Sequence, residues 1–409
     1  MTDLPASYPW IEKLVSLPTI AETSNLELIQ LVAAEFEKYG FEPHLTYSDD
    51  AQRANLFVTV PAADGSQQGG LVISGHTDVV PVEGQPWDTD PFTPTVKDGK
   101  IFGRGVADMK SYLAVALWLL PEIARAQLTK PLHFAFTYDE EIACVGAPRM
   151  LEDLKKRGIK PDFAIIGEPS SMYPIAAHKG AHRGRATFTG VVKHGSLAPH
   201  GVNAVAAAGK FIAFIEDLAD SWLEKGPFDE GFVTPTSTAG ANFVRGGLQY
   251  NIVGETAVVE YDFRTIPATT TDEVVKLVEQ KLFENLLPEL RAKAERAERL
   301  SGAEPGSLQE KVGITHELLA AVPALDTAKD DAVLALGAQL VDRPEVLSSD
   351  LVKVTYGTEA GQFQRAGINA IVCGPGDIAQ AHGANEWVEI SQIEECERFM
   401  QRVLDWAQS

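Results

Sequence analysis

The stretch Leu71–Lys110 limits the possible fold more than any other part of the sequence. It begins with the apolar run Leu71-Val72-Ile73, which predicts a buried β-strand, and the polar cluster His76-Thr77-Asp78 follows. A second acidic residue, Asp108, precedes the apolar segment Tyr112–Leu120, which predicts a helix. Open α/β sheets place their chemistry at the carboxyl ends of strands, so this stretch indicates an α/β fold with a site at its polar residues.

The same order of strand, polar strand end and helix recurs elsewhere in the chain. Potential ligands follow three further predicted strands: Glu140 and Glu141 follow His133–Tyr138, Glu168 follows Phe163–Ile166, and His382 follows Ile368–Cys373. We expect Phe134, Phe136 and Tyr138, which alternate along their strand, to lie on one face of it. The recurrence extends the α/β prediction to both ends of the sequence.

The pattern of predicted elements changes between residues 182 and 317, where longer strands and helices predict a compact α+β unit. After residue 317 the alternation of strands, polar strand ends and helices returns. The simplest organisation is a catalytic domain in two segments, 1–181 and 318–409, with a smaller domain, 182–317, inserted between them. No internal repeat or low-complexity segment interrupts this pattern.

Composition excludes several classes of partner. The net charge of −22 over 409 residues argues against nucleic acids and anionic membranes, because both would repel the chain. Cys144, Cys373 and Cys396 have neither zinc-site nor disulfide spacing, which favours a reducing compartment. No signal peptide and no apolar stretch of transmembrane length is visible, so we expect a cytoplasmic protein.

Each potential ligand also has an ordinary structural interpretation. His76 could be a surface histidine in a turn, Asp108 a helix N-cap, and Glu140-Glu141 a solvated acidic turn. Adjacent carboxylates repel each other, however, unless a cation or a proton lies between them. Two histidines and three or four carboxylates at strand ends suit a site for two divalent metals. Mixed ligation of this kind favours zinc or cobalt, with manganese as an alternative.

Four motifs, in order along the chain, resemble those of the dinuclear zinc amidohydrolase family: Ser74–Pro81, Gly105–Lys110, Asp139–Glu141 and Gly167–Pro169. That family of metallopeptidase relatives includes acetylornithine deacetylase, succinyl-diaminopimelate desuccinylase, aminoacylase and carboxypeptidase G. The resemblance implies a zinc-peptidase-like catalytic domain with an inserted α+β lid that is also used for dimerisation. It therefore implies a homodimer and two divalent ions, with zinc favoured and cobalt able to substitute.

The resemblance also implies a role for each ligand-type residue. Asp108 would bridge both metals, His76 and Glu168 would complete one site, and Glu141 and His382 would complete the other. Glu140 would be the general base, and Asp78 would orient His76.

Further positions follow from the same resemblance. His194 matches a lid histidine that reaches the partner subunit's active site and stabilises the oxyanion, although Lys193 and Gly195 depart from the usual pattern. Without the resemblance, His194 is interpreted as a surface-loop histidine. Arg264 would bind a substrate carboxylate in bidentate fashion, with a strand-end salt bridge to Asp262 or Glu260 as the alternative. Asn251 is a weaker candidate for the same pocket.

Within the family, Tyr356–Gly361 and Ala177–Gly180 resemble the acetylornithine deacetylase branch. The implied reaction is hydrolysis of N2-acetyl-L-ornithine to L-ornithine and acetate, a step of arginine biosynthesis. Glu359 would then meet the cationic side chain, or else cap a loop. The alternatives are a succinyl-diaminopimelate desuccinylase, a broader aminoacylase, a dinuclear dipeptidase or exopeptidase, and a non-catalytic binding module.

Overall fold

A computed structural model describes residues 4–409, and strands and helices alternate through its first part. Up to residue 178 the elements are α1 (Tyr8–Val15), α2 (Leu26–Lys38), β1 (His44–Tyr47), β2 (Ala54–Val60), β3 (Leu71–His76), β4 (Thr95–Lys97), β5 (Lys100–Phe102), α3 (Lys110–Ile123), β6 (Leu132–Thr137), α4 (Gly146–Arg157), β7 (Phe163–Pro169) and β8 (Ala177–His178).

Longer strands and helices make up the middle of the chain. They are β9 (Gly180–Thr189), α5 (Ala204–Lys225), β10 (Thr238–Gly246), β11 (Thr256–Thr265), α6 (Thr271–Glu279), a π-helical turn (Gln280–Leu286), α7 (Leu287–Ser301) and β12 (Gly313–Val322). The last part contains β13 (Leu325–Asp326), α8 (Ala332–Leu340), β14 (Lys353–Val354), α9 (Ala360–Arg365), β15 (Asn369–Gly374), β16 (Trp387–Glu389) and α10 (Ile390–Gln408).

The chain divides into two compact units. Unit 1 comprises the described residues up to His178 together with Leu325–Val354 and Thr358–Ser409. Unit 2 comprises Lys179–Ala324 and Thr355–Gly357, so it contains the segment 182–317 that the sequence sets apart.

Unit 1 is built on a six-stranded sheet in the order β1-β2-β6-β3-β7-β15. The four strands β6, β3, β7 and β15 are parallel neighbours, which confirms the predicted α/β class. Two apolar clusters cover the sheet: one packs Phe134 with α1, α2, α3 and α10, and the other packs Ala135 with α4 and α9. Phe134 and Phe136 share one face of β6, as predicted, and all six residues of the strand are buried because an apolar cluster covers each face.

Helix α3 lies close to this sheet because a glycine faces it. A Cβ atom on Gly167 in β7 would lie 2.1 Å from the ring of Tyr112, so any larger residue would displace the helix. Tyr112 and the other apolar side chains of α3 are almost all buried, as expected for a helix in a core.

Unit 2 is an antiparallel sheet in the order β10-β11-β9-β12, with α5, α6 and α7 on one face. Burial alternates along β11, where Val259 and Tyr261 point into the core and Glu260 and Asp262 are more exposed. Helix α7 contains the charged segment Arg291–Arg299, and its buried residues include Leu290 and Ala294. Strand β10 lies at the edge of the sheet. Among residues 4–409, no helix is long and apolar enough to cross a membrane.

Candidate metal centre

The carboxyl ends of four parallel strands carry the potential ligands of unit 1. His76 is the last residue of β3, Glu168 lies near the end of β7, and Glu141 follows β6. The loop after β15 brings His382 to the same edge, and Asp108 comes from the loop between β5 and α3. Because parallel neighbours end at one edge, side chains that are far apart in sequence converge here.

The first group consists of His76, Asp108 and Glu168, all of them buried. His76 Nε2 lies 2.9 Å from Asp108 Oδ1 and 3.8 Å from Glu168 Oε1. One imidazole nitrogen and two carboxylates in such proximity form a donor set that suits a divalent transition metal.

The second group consists of Asp108, Glu141 and His382. His382 Nε2 lies 3.1 Å from Asp108 Oδ2 and 3.1 Å from Glu141 Oε2. Asp108 thus directs one carboxylate oxygen to each group, which is the placement expected of a bridging ligand. It does not cap α3, because Met109 occupies the N-cap position and no side chain caps the helix. The helix-cap interpretation of Asp108 is wrong.

Asp78 contacts both His76 and the backbone of the Glu140-Glu141 pair. The amides of Glu140 and Glu141 each donate a hydrogen bond of 3.1 Å to its carboxylate. His76 Nδ1 lies 2.9 Å from the Asp78 carbonyl oxygen, so it acts as the donor and leaves the Nε2 lone pair free for a metal. His76 is 1% exposed, so its interpretation as a surface turn residue is wrong.

Negative charge is concentrated in this cluster. Burial raises the pKa of Glu140 to about 8, with Glu141 and Glu359 adding to the rise and His76 opposing it. Burial and the charge of Asp108 raise the pKa of Glu141 to about 7, and they hold that of Glu168 well above its ordinary value. The Glu141 side chain is only 6% exposed, so it does not belong to a solvated turn. Divalent cations would stabilise the ionised carboxylates, and the donor set fits them.

The pKa values of the two histidines are also raised, which favours their charged form. Burial lowers the pKa of His76, but its hydrogen bond to Asp108 and the nearby charges of Glu168 and Asp78 outweigh burial and raise it well above its ordinary value. Hydrogen bonds to Asp108 and Glu141 raise the pKa of His382 to about 10. Both imidazoles therefore lie in a field that attracts positive charge.

Glu359 is fully buried beside this cluster. Burial raises its pKa to about 7, against the effects of the Thr137 hydroxyl and His76. Among residues 4–409, no side-chain or backbone donor satisfies either carboxylate oxygen within hydrogen-bond distance, and its side chain does not cap α9. The loop-capping interpretation is wrong, while its contact with a substrate stays a prediction.

Two relationships were not anticipated from the sequence. The buried Cys144 thiol donates to Glu140 Oε1 at 3.1 Å. Glu386 is buried and accepts hydrogen bonds from the backbone amides of Ala107 and Asp108. No periodicity or spacing marks Glu386 in the sequence, since it lies in a loop without a regular pattern.

The remaining predicted site residues lie in unit 2. His194 is exposed in the segment after β9, where Nδ1 lies 2.8 Å from Ser196 Oγ. Asn251 is its neighbour, because the Gly195 amide donates to the Asn251 carbonyl at 2.7 Å. Arg264 Nε donates to Asp262 Oδ2 at 2.9 Å, so the predicted alternative, a strand-end salt bridge, is present. The roles of all three residues in substrate binding stay predictions.

Comparison with known proteins gives consistent results. Residues 72–406 match the sequence model of the family described as Peptidase family M20/M25/M40. The acetylornithine deacetylase of Proteus mirabilis (strain HI4320) is 33% identical over 409 residues, which cover 98% of this chain and 97% of that protein.

Solved structures of low sequence identity share the fold. The M20 family metallo-carboxypeptidase Sso-CP2 from Sulfolobus solfataricus has a TM-score of 0.70 at 16% identity, covering 99% of this chain and 100% of the other. Bacillus subtilis YXEP, a dinuclear metal binding peptidase of the M20 family, has a TM-score of 0.56 at 15% identity, covering 98% and 97%.

Proposed function

Because the chain belongs to the Peptidase family M20/M25/M40, and is thus a hydrolase, we propose that it removes the acyl group from N2-acetyl-L-ornithine to give L-ornithine and acetate. The observation that carries the proposal is the pair of ligand groups that share Asp108. Identity of 33% to an acetylornithine deacetylase along nearly the whole chain supports the substrate.

Divalent metals are supported by the two ligand groups and by the dinuclear relative, and we propose that both ions are zinc, with cobalt able to substitute. His76, Asp108 and Glu168 would hold one ion, and Asp108, Glu141 and His382 the other. When bound, these ions would polarise the acyl carbonyl and lower the pKa of a water molecule.

Glu140 is the proposed general base. It takes a proton from the attacking water as the new carbon–oxygen bond forms, and it returns that proton to the amine nitrogen as the carbon–nitrogen bond breaks. The Cys144 thiol donates to Oε1, so Oε2 is the oxygen that carries the proton. Asp78 holds the Glu140 backbone in place through its amide.

Three residues of unit 2 have proposed roles in the reaction. Arg264 and Asn251 bind the substrate α-carboxylate, and a guanidinium can do so with two parallel hydrogen bonds. His194 donates to the developing oxyanion, acting on the partner subunit's site. Glu359, from unit 1, interacts with the ammonium group of the ornithine side chain.

A homodimer through the inserted domain is part of this proposal, and an edge strand of unit 2 supports it. Strand β10 pairs only with β11, and its residues Phe243 and Val244 are about half exposed. Leu248 is 81% exposed, and Tyr250 just beyond it is fully exposed. An apolar, unpaired edge favours pairing with another strand, and two copies related by a two-fold axis would each supply one.

The proposal also includes the binding partners and the cellular location of the protein. We expect a small N-acyl amino acid as the substrate, and no nucleic acid or membrane partner, because of the net charge of −22. Cys144, Cys373 and Cys396 are buried free thiols, which supports a location in the cytoplasm.

The test compares kcat/KM for N-acetylornithine, N-succinyl-diaminopimelate, N-acetylmethionine and a dipeptide, with zinc or cobalt supplied. We expect N-acetylornithine to be hydrolysed most efficiently, and a chelator to abolish the activity until metal is restored. Preference for the dipeptide would instead favour an exopeptidase. Absence of both bound metal and chelator-sensitive activity would favour a binding module.

A further inference from the structure

A buried carboxylate holds the loop that carries Asp108. Glu386 is 1% exposed and lies directly before β16. Oε1 accepts hydrogen bonds from the amides of Ala107 at 2.8 Å and Asp108 at 3.1 Å, and Oε2 accepts one from the amide of Gly105 at 3.0 Å. One side chain thus fixes three backbone amides between Gly105 and Asp108, and the last of them belongs to the predicted bridging ligand.

Arg104 connects this carboxylate to the loop of a second ligand. Its Nη1 donates to Glu386 Oε2 at 2.8 Å, and its Nη2 donates to Gln85 Oε1 at 2.6 Å. Gln85 Nε2 in turn donates to the backbone carbonyl of His382 at 2.8 Å. Arg104 is 1% exposed, so the ion pair is removed from solvent. One network therefore joins the backbones of Asp108 and His382.

We infer that Glu386 and Arg104 are positioning residues for the second ligand group, formed by Asp108, Glu141 and His382. This inference rests on the proposed metal-dependent function. His382 needs such support, since its side chain is 52% exposed and it has a left-handed φ of 64°, whereas Asp108 and Glu141 are buried. Removal of a group that orients a metal ligand typically lowers metal affinity by about 10–100-fold.

The chemistry of Glu386 has to be that of a carboxylate. Three amides and a guanidinium all donate to it, and a carboxylate offers acceptor sites on both oxygens. In Glu386→Gln one of the two carboxylate oxygens is replaced by an NH₂ group, a donor that faces other donors. Arg104 then becomes a buried cation without a counter-charge. The size of the side chain is retained, so the substitution alters the network and not the packing.

The test is titration of the metal-free, full-length protein with Co²⁺ in competition with a chelator, followed by the visible absorption of the bound ion. We expect Glu386→Gln to weaken binding of the second equivalent by roughly 10–100-fold. Glu298→Gln is the matched control, because Glu298 is also buried and accepts the amides of Leu308 and Gln309, but in unit 2. It should lower the unfolding temperature and leave both affinities within about twofold.

A milder variant covers the case in which Glu386→Gln does not fold. Gln85→Leu leaves the ion pair of Glu386 and Arg104 in place and removes the hydrogen bonds that Gln85 makes with Arg104, Trp87 and the His382 carbonyl. It should weaken the second equivalent by about tenfold while the first is retained. If the folded variants bind both equivalents with unaltered affinity, the inference is wrong. If the unaltered protein itself binds fewer than two ions, the proposed dinuclear function fails instead, so the two failures are distinguishable.

Discussion

The Asp78 carboxylate accepts a hydrogen bond from the backbone amide of Glu140, with 3.1 Å between the two atoms. The Glu141 amide donates to Oδ2 of the same carboxylate. His76 Nδ1 lies 3.6 Å from Asp78 Oδ1, the oxygen that the Glu140 amide contacts. One side chain therefore sets the position of the proposed base and of two proposed ligands. Its replacement should affect turnover and metal binding together.

Asp78→Asn tests this relationship, because asparagine keeps the shape but can accept only one of the two amide bonds. We expect kcat/KM and metal affinity each to fall by roughly 10–100-fold. Steady-state kinetics and metal titration measure both quantities. Asp162→Asn is a suitable control, since Asp162 accepts the Gly70 amide at 2.9 Å in another loop of unit 1. Equal effects of the two substitutions would argue against a special role for Asp78.

Glu140→Gln should separate proton transfer from metal binding. Glu140 belongs to neither ligand group, so metal content should be unchanged, while kcat should fall by roughly 10²–10⁴-fold through loss of the base. Glu141→Gln provides the contrast, because it should lower metal content as well. Near-normal turnover of Glu140→Gln would remove this residue from the mechanism.

Glu359→Gln tests how the substrate side chain is recognised. Loss of a charged partner for the ornithine ammonium should raise KM for N-acetylornithine by about tenfold and leave that for N-acetylmethionine unchanged. Kinetics with both substrates measure the difference. If both substrates are affected equally, Glu359 acts through Glu140, whose pKa it helps to raise, and not through the substrate.

Mixing two inactive variants tests whether His194 acts across the dimer. His194→Ala and Glu140→Ala should each be nearly inactive, yet in a mixed dimer one site has both an intact Glu140 and an intact His194 of the partner subunit. After equal mixing and exchange of subunits, about a quarter of the normal activity should return. Failure to recover activity in proven mixed dimers would confine His194 to its own subunit.

His133 should make the protein sensitive to acid. Burial lowers its pKa to about 4, and its ring is held in the neutral form between Thr59 Oγ1 and the Gly69 carbonyl. The contribution of the neutral ring to the free energy of unfolding is fully present above the unfolded-state pKa of about 6.5. It is lost as the pH falls from there through about 4. By pH 4.5 the loss of unfolding free energy amounts to about 2–3 kcal/mol.

Chemical denaturation at pH 7 and pH 4.5 measures this contribution. His133→Gln retains a donor and an acceptor but cannot titrate, so it should lose less stability than the unaltered protein over that interval. An identical loss in both proteins would show that other groups cause the acid sensitivity.

The convergence of the predicted ligands could be foreseen because each follows a strand of recognisable apolar pattern. His76, Glu168 and Glu141 come next to parallel strands, and topology then brings them together. His382 likewise follows a predicted strand, whereas Asp108 was added by the motif Gly105–Lys110. The family resemblance was confirmed by the match over residues 72–406.

Long-range polar contacts could not be foreseen. Asn25 occupies the N-cap position of α2, but its side chain pairs with the Ala54 backbone and the Thr77 hydroxyl and does not cap the helix. Strands β4, β5 and β16 form a small sheet from segments rich in Pro, Gly and Asp, where neither a period of two nor one of 3.6 is visible. Glu386 is placed by that sheet, so its role depends on pairing that local sequence does not encode.

The position of β15 in the sheet has a consequence for synthesis on the ribosome. Asp108 and His382 meet although 274 positions separate them, and all of unit 2 has been translated before β15 emerges. The nascent chain therefore carries a complete inserted sheet while the parallel sheet still lacks its last strand. Closing that gap brings together residues far apart in sequence, at a large cost in chain entropy. Because His382 is a proposed ligand, we expect tight capture of two ions only in nearly full-length chains, and no activity in fragments that end before His382.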